Sequence, residues 1–230
     1  DPSRRNDVKE KVFLLKDCEP NIPENIDLLF KKTKTILLKN SPILDITSAI
    51  NELKFVKEIH VVAINNDVKE LLYILEKGYC KEILIKTINF TKNNAQKFHF
   101  NYHKKPVSSY HEPLEYLYEP NAAVLKSGAF HEISTQLNIF KLHQHSHLYT
   151  SKKRIEFPGR EFKIVAVLPY DKKQILKLLP NKKANITIRN FHKTVAQIRK
   201  ELKIKDGGDI FLFFTTNIHN KFICMYCKKL

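Results

Sequence analysis

The first residues of this 230-residue sequence that could take part in chemistry stand at its start, as Asp1-Pro2-Ser3-Arg4. This stretch precedes the first predicted unit of helix and strand, so it is expected at the C-terminal end of a strand outside the chain. That edge is where open α/β sheets bind ligands. The range 39–42 (Lys-Asn-Ser-Pro) follows the next predicted strand and would line the same edge. For each stretch, an ordinary loop is the alternative.

Cysteine and histidine spacings make a weaker case for chemistry. Cys224 and Cys227 match C-x-x-C, but no second pair completes a zinc site. Two strand residues three positions apart point to opposite faces, so we interpret these cysteines as buried, reduced and structural. His143, His145 and His147 alternate and would share one face of a strand, as metal ligands can. No fourth ligand is evident, and capping, packing or RNA contact is the alternative, so the sequence predicts no metal site.

The positive charge of the chain is concentrated near its end. The net charge is +16, and residues 152–230 carry 19 Lys and Arg against 6 Asp and Glu, whereas residues 1–113 carry 19 against 15. Such an excess indicates a polyanionic partner. The alternative is a lysine-rich surface that only reflects overall composition. The candidate residues for binding such a polyanionic partner, several of which are expected to converge at one end of a domain, are Arg160, Lys163, Lys182, Lys183, Arg189, Asn190, Lys193, Arg199 and Lys200.

Two neighbouring rings could add base recognition to this basic region. Phe191 and His192 could stack on an unpaired base, whereas the phosphate contacts would supply affinity and position. The alternative is that Phe191 belongs to the core and that the lysines form a solvated face.

Composition excludes several classes of protein. Apolar residues make up 43% of the chain and charged residues 28%, which is typical of a globular protein. No apolar run reaches the ~18 residues that a membrane helix needs, and no secretory signal is visible. We therefore expect a cytoplasmic protein with no membrane partner. The sequence also has no G-x-G-x-x-G motif and no P-loop; Gly207-Gly208 is expected to be a turn.

Hydrophobic patterning predicts two folded parts. Residues 8–90 alternate between helix and strand, which favours a parallel sheet with crossover helices. Its three strands would make half of a usual nucleotide-binding sheet, so the other half is expected before Asp1. The last third has the order β-α-β-α-β-β, which predicts a compact α+β domain with a four-stranded sheet. The predicted helices cover 23–34, 45–53, 67–77, 121–130, 172–179 and 194–202, and the predicted strands cover 35–39, 59–64, 83–90, 98–102, 162–168, 184–189, 210–215 and 222–227.

Asp1-Pro2-Ser3-Arg4 resembles the Asp/Asn-Pro-Pro-x motif that follows the fourth strand in class I S-adenosylmethionine-dependent methyltransferases. In that family the acidic or amide side chain and the backbone beside the proline hold the target base or amine. Ser3 replaces the second proline, and Arg4 replaces the usual aromatic residue. The resemblance implies that Asp1, Pro2 and Arg4 lie beside the methyl acceptor.

The ranges 118–130, 142–151, 157–160 and 189–208 resemble a bacterial methyltransferase family known mainly from Bacteroidetes. In that family a truncated ferredoxin-like segment and a THUMP-like domain follow the catalytic domain. The resemblance covers essentially the whole chain and implies S-adenosyl-L-methionine as cofactor and RNA, either tRNA or rRNA, as partner. Because the glycine-rich turn and the ribose-binding acidic residue are expected before Asp1, this chain alone should bind the cofactor poorly.

The predicted fold is therefore α/β: the C-terminal half of a Rossmann-like methyltransferase sheet followed by a small THUMP-like α+β domain. The predicted domains are a partial Rossmann-like domain (1–102), a linker (103–113), a ferredoxin-like helical segment (114–151) and a basic THUMP-like domain (152–230). The predicted function is that of a C-terminal fragment of an RNA methyltransferase. The alternative is a non-catalytic RNA-binding module on a degenerate Rossmann scaffold. A DNA-binding regulator is less favoured because no helix-turn-helix stands out.

Overall fold

The computed structural model describes residues 14–102 and 106–230, which divide into two compact units. The first unit contains residues 14–102 together with 121–129, and the second contains 106–120 together with 130–230. The predicted acceptor-side residues Asp1, Pro2 and Arg4 lie outside the described residues.

Local capping explains where two of the helices begin. The Asp45 side chain accepts the backbone N–H of Ser48 at 2.8 Å, as predicted for this helix start. Thr194 and Gln197 form a reciprocal capping box. The helices of the described residues are α1 (Ile22–Lys32), α2 (Ile46–Glu52), α3 (Ala122–Ser127), α4 (Glu132–Gln136), α5 (Lys172–Lys177) and α6 (Val195–Leu202), with a short 3₁₀ turn at Leu15–Asp17.

The first unit is built on a five-stranded sheet of order β1-β3-β2-β4-β5. Three of its pairings are antiparallel, and only β2 and β4 run parallel, so the predicted all-parallel arrangement is wrong. Helix α3 packs against β2, β3 and β4. The strands are β1 (Thr35–Asn40), β2 (Val56–Ile64), β3 (Asp67–Glu76), β4 (Leu84–Phe90) and β5 (Ala95–Asn101).

The helix predicted over 67–77 is also wrong, because this segment is strand β3. Asn65 and Asn66 have φ values of 50° and 64°, which makes a two-residue hairpin turn from β2 into β3. Leu71, Tyr73 and Leu75 are fully buried, whereas the residues between them are partly exposed. This period of two is that of a strand. The pair of asparagines is therefore a turn signal, and no helix begins after it.

The second unit has a seven-stranded sheet of order β10-β11-β12-β9-β6-β8-β7. The predicted β-α-β-α-β-β order of the last third is confirmed, and β10 and β11 form the parallel pair. Three strands that the sequence did not predict extend this sheet beyond four. The strands are β6 (Tyr116–Pro120), β7 (Phe140–Lys141), β8 (Tyr149–Ser151), β9 (Gly159–Pro169), β10 (Asn185–Arg189), β11 (Ile210–Thr216) and β12 (Phe222–Lys229).

Separate apolar cores cover the two faces of this sheet. On one face, Ile198 and Leu202 of α6 belong to the same cluster as Phe214. On the other, Phe162 and Phe213 are fully buried and meet edge to face at 4.8 Å. Cys224 lies in the first core and Cys227 in the second, and both thiols are free, so the predicted buried structural cysteines are confirmed. No helix in the described part of the chain is long and apolar enough to cross a membrane.

Candidate nucleic-acid interface

An open groove of about 550 Å³ lies at the carboxyl end of β10. The rings of His192 and Phe222 are 4.2 Å apart between centroids, and Phe191 meets Phe222 edge to face at 5.2 Å. Phe222 remains 42% exposed. We call this feature the aromatic groove; its lining residues are Ile188, Arg189, Asn190, Phe191, His192, Thr216 and Phe222.

Asn190 is held rigidly at the rim of the aromatic groove. Its backbone is left-handed, with φ at 49°, and its carbonyl accepts the Thr216 hydroxyl at 2.6 Å. Its side-chain amide donates to Nδ1 of His143 at 3.0 Å. That same nitrogen accepts the backbone N–H of His145, and the Nε2 of His143 bonds to Oδ1 of Asn220 at 3.0 Å. Because Nδ1 receives two donors, the hydrogen of this imidazole belongs on Nε2.

A buried ion triad lies beside the groove. Glu119, at the end of β6, is only 3% exposed. Its carboxylate bonds to Nε of Arg160 at 2.7 Å and pairs with the guanidinium of Arg189 at 2.6 Å. Strands β6 and β10 are four positions apart in the sheet, about 19 Å if the sheet were flat, so the sheet curves to bring them together. Two of the predicted RNA-binding arginines are thus held by a buried carboxylate, and Glu119 is not among the residues that the sequence pattern indicates.

Gly159 allows the strands to approach closely at this triad. A Cβ atom built there would lie 2.1 Å from the carbonyl oxygen of Glu119 and 2.8 Å from the Phe157 ring. No side chain fits at such distances, so position 159 requires glycine for steric reasons rather than for its backbone angles.

The two lysines that precede β10 lie at the end opposite the aromatic groove. Lys182 and Lys183 are exposed, and the extended chain from Lys183 to Arg189, six residue steps, places them about 20 Å from Arg189. Arg199, in the last turn of α6, is on the lysine side, because it donates to the carbonyls of Ala184 and Ile204 and pairs with Asp206. The prediction that these cations converge at one end of the domain is therefore wrong, because they lie at two separate ends.

Two other candidate lysines form ion pairs with carboxylates. Lys163 pairs with Glu115 at 2.6 Å and lies over the Tyr116 ring. Lys193 pairs with Glu201 at 2.6 Å and lies over the Tyr170 ring, and the hydrogen bond to Glu201 raises the pKa of Lys193. Among the described residues, no carboxylate lies within ion-pair distance of the remaining exposed candidates, which are Lys182, Lys183 and Lys200.

The three alternating histidines lie in the loop between β7 and β8 rather than on a strand. His143 supports Asn190, whereas His147 stacks on Phe130 at 3.8 Å between ring centroids. Burial, reinforced by nearby Lys141 and Arg189, lowers the pKa of His147 to about 4. Within residues 14–102 and 106–230, no group of three or more His, Cys, Asp or Glu side chains is arranged to hold a metal ion.

The first unit has a buried amide at the sheet edge where the sequence predicts a ligand. Asn40, at the carboxyl end of β1, is 2% exposed, and neither polar atom of its side chain has a hydrogen-bond partner. S-adenosyl-L-methionine carries a carboxylate, an ammonium group, ribose hydroxyls and an adenine. A single amide does not match that set, so the described residues do not form a cofactor site by themselves.

Two family models match the C-terminal half of the chain. Residues 116–158 match the family model of a ferredoxin-like domain, and residues 159–229 match a model described as THUMP domain-like. The predicted α/β fold with a THUMP-like domain at its C-terminal end is therefore confirmed.

One solved structure matches nearly the whole chain. It is the crystal structure of a "putative methyltransferase" from Porphyromonas gingivalis W83, with 33% identity and a TM-score of 0.89. The match covers 99% of this chain, which spans 58% of that protein's chain. No curated protein matches the sequence.

Proposed function

We propose that this chain is the C-terminal part of an S-adenosylmethionine-dependent RNA methyltransferase, in which the THUMP-like domain binds a tRNA or rRNA substrate. The likeness to the Porphyromonas gingivalis structure, at a TM-score of 0.89, carries the methyltransferase part of this proposal. The RNA part is supported by the +13 balance of residues 152–230, most of which belong to the THUMP-like match.

In this proposal the domains divide the work. The Rossmann-like part, predicted over 1–102, carries Asp1, Pro2 and Arg4 beside the methyl acceptor, and the cofactor binds mainly to polypeptide outside this chain. Methyl transfer to a positioned nucleophile needs proximity more than strong acids or bases. The basic domain, predicted over 152–230, supplies that proximity by holding RNA, while 114–151 connects the two.

The exposed lysines are the proposed phosphate contacts. Arg160, Arg189 and Arg199 are paired to carboxylates within the fold, so their substitution would change stability together with RNA binding. Effects on RNA binding can be separated from effects on stability at three exposed lysines, which are Lys182, Lys183 and Lys200. They therefore make the cleaner test of an electrostatic RNA surface.

The test measures RNA affinity of the whole chain by fluorescence anisotropy across a range of salt. Each lost phosphate contact should reduce the log–log salt slope by about 0.7 for single-stranded RNA, so K182A/K183A/K200A should flatten it by about 2. The matched control, K31A/K32A/K92A, removes the same charge from exposed positions of the first unit and should leave the slope unchanged. Equal flattening by both variants would place RNA binding elsewhere, and salt-independent binding would contradict the proposal.

Catalysis is tested separately. The protein that includes the polypeptide preceding this chain should transfer a labelled methyl group from S-adenosylmethionine to RNA, whereas the 230-residue chain should bind the cofactor weakly in calorimetry. RNA binding without methyl transfer would favour the alternative, a non-catalytic RNA-binding module.

A further inference from the structure

We infer that the aromatic groove is a subsite for one unpaired nucleobase, which stacks on the exposed ring of Phe222 beside His192 while Asn190 contacts its edge. This inference rests on the proposed RNA-binding function and adds what the second unit would recognise. It concerns the end of β10 opposite Lys182 and Lys183.

The rings of the groove divide into an inner ring that packs and two outer rings that are exposed. Phe191 lies between Tyr170 and Phe222, with edge-to-face contacts to both at 5.2 Å, and is largely used by the core. His192 and Phe222 form the outer pair, and both are exposed. The two ring planes are inclined by 41°, so they form an angled wall rather than one flat surface. The exposed face of the Phe222 ring is the apolar surface on which any nucleobase can stack.

Asn190 gives the groove a fixed polar edge. Its left-handed backbone, the Thr216 hydroxyl bond and the His143 bond hold the side chain in one orientation. The amide has two N–H donors and one oxygen acceptor, and His143 takes only one of the donors. The remaining donor and acceptor suit the edge of a base. His143 is therefore a positioning residue for Asn190.

The charges around the groove favour a nucleotide over a neutral ligand. Arg189 lines it, and Lys193 follows it in the chain. Lys193 is paired with Glu201, which balances its charge. Arg189 and Arg160 share the single carboxylate of Glu119, so this triad has a net charge of +1. In a duplex the base faces are covered by their neighbours, so only an unpaired base can enter.

The experiment places 2-aminopurine at one position of a single-stranded RNA oligonucleotide and follows its fluorescence on binding to the whole chain. Stacking should quench the fluorophore, and the same fluorophore in a duplex should not respond. Phe222→Leu keeps an apolar side chain but removes the ring, and should weaken binding by about 10-fold, the effect of one lost stacking contact. Phe90→Leu is the matched control, because Phe90 is a similarly exposed strand-end phenylalanine in the first unit.

The outcomes separate this inference from the proposed function. If Phe222→Leu leaves quenching and affinity unchanged while K182A/K183A/K200A still flattens the salt slope, the subsite is refuted and the RNA-binding proposal stands. If neither variant matters, or no RNA binds, both fail. Continued resistance of Cys224 and Cys227 to thiol reagents shows that Phe222→Leu is folded, since both thiols are buried.

Discussion

Replacing Glu119 with glutamine should loosen the second unit at one defined place. Glu119 is 3% exposed, and its carboxylate is hydrogen-bonded by Arg160 and ion-paired with Arg189, so it joins β9 and β10 to β6. Glutamine keeps the shape and one acceptor oxygen but removes the charge. Two guanidinium groups would then face an amide that cannot neutralise them.

The size of the effect follows from how exposed the partners are. Removing one member of a fully buried ion pair costs about 3–5 kcal/mol. Here the arginine side chains are 39% and 38% exposed, so water can partly replace the lost carboxylate. We therefore expect a loss of about 2 kcal/mol, which raises the local opening constant about 30-fold.

Hydrogen–deuterium exchange measured by peptide is the suitable assay, because the chain has no tryptophan and contains two units. Peptides from β6, β9 and β10 should exchange faster in Glu119→Gln, whereas β2 and β4 should not change. Glu115→Gln is the control, since Glu115 forms an exposed pair with Lys163 and should lose at most about 0.5 kcal/mol.

Equal exchange in Glu119→Gln and Glu115→Gln would refute the reasoning. It would mean that the backbone hydrogen bonds to β11 are enough to hold β10 in place, and that the ion triad adds no stability. A double-mutant cycle with Arg189→Ala would then show no coupling energy, whereas the structure predicts a coupling above 0.5 kcal/mol.

Three further predictions concern other sites. Gly159→Ala should lower the free energy of unfolding of the second unit by about 1–3 kcal/mol in urea, because its Cβ would overlap the Glu119 carbonyl. The control Gly78→Ala, where a Cβ meets open space, should lower the free energy of unfolding by only about 1 kcal/mol. A larger loss for Gly78→Ala than for Gly159→Ala would contradict the steric argument. Because the pKa of His147 is about 4 instead of 6.5, the unfolded chain binds a proton that the folded chain does not, so stability should fall as pH drops from 6.5 towards 4. His147→Asn, which tolerates the left-handed backbone, should lessen this pH dependence in unfolding experiments; an unchanged profile would assign it to other groups. Exposed Cys80 should react quickly with a thiol reagent, whereas Cys224 and Cys227, whose thiol pKa values are raised by burial, should react only on unfolding; fast labelling of either would contradict the buried cores.

The sequence pattern predicts an element best where the interactions that start and end it lie within a few residues of one another. The predicted helix over 194–202 is confirmed because Thr194 and Gln197 form its cap within four residues. The strands predicted over 210–215 and 222–227 are confirmed as the antiparallel pair β11 and β12, because the turn-forming range 217–220 (Asn-Ile-His-Asn) separates two apolar runs. By contrast, β3 was predicted as a helix, because short runs of leucine and isoleucine suit either structure.

Site geometry was harder to foresee. Glu119 gave a signal, a carboxylate in the otherwise apolar and aromatic stretch 116–120, but its partners lie 41 and 70 positions away along the chain. Strand β6 itself was missed because Glu119-Pro120 suggests the start of a helix. Composition alone shows that the last third is basic, but it does not show which carboxylate each arginine pairs with.

The sequence by itself determined the order of most elements, the excess of positive charge near the C-terminus and the buried character of the last two cysteines. These properties depend on local spacing and composition, which the chain carries in one dimension. Only the tertiary structure decided that Asn190 is locked by His143, that Arg160 and Arg189 meet at Glu119, and that Lys182 and Arg189 lie at opposite ends of β10. Those relations depend on sheet order and curvature, and contacts between distant strands leave no periodic trace in a single sequence.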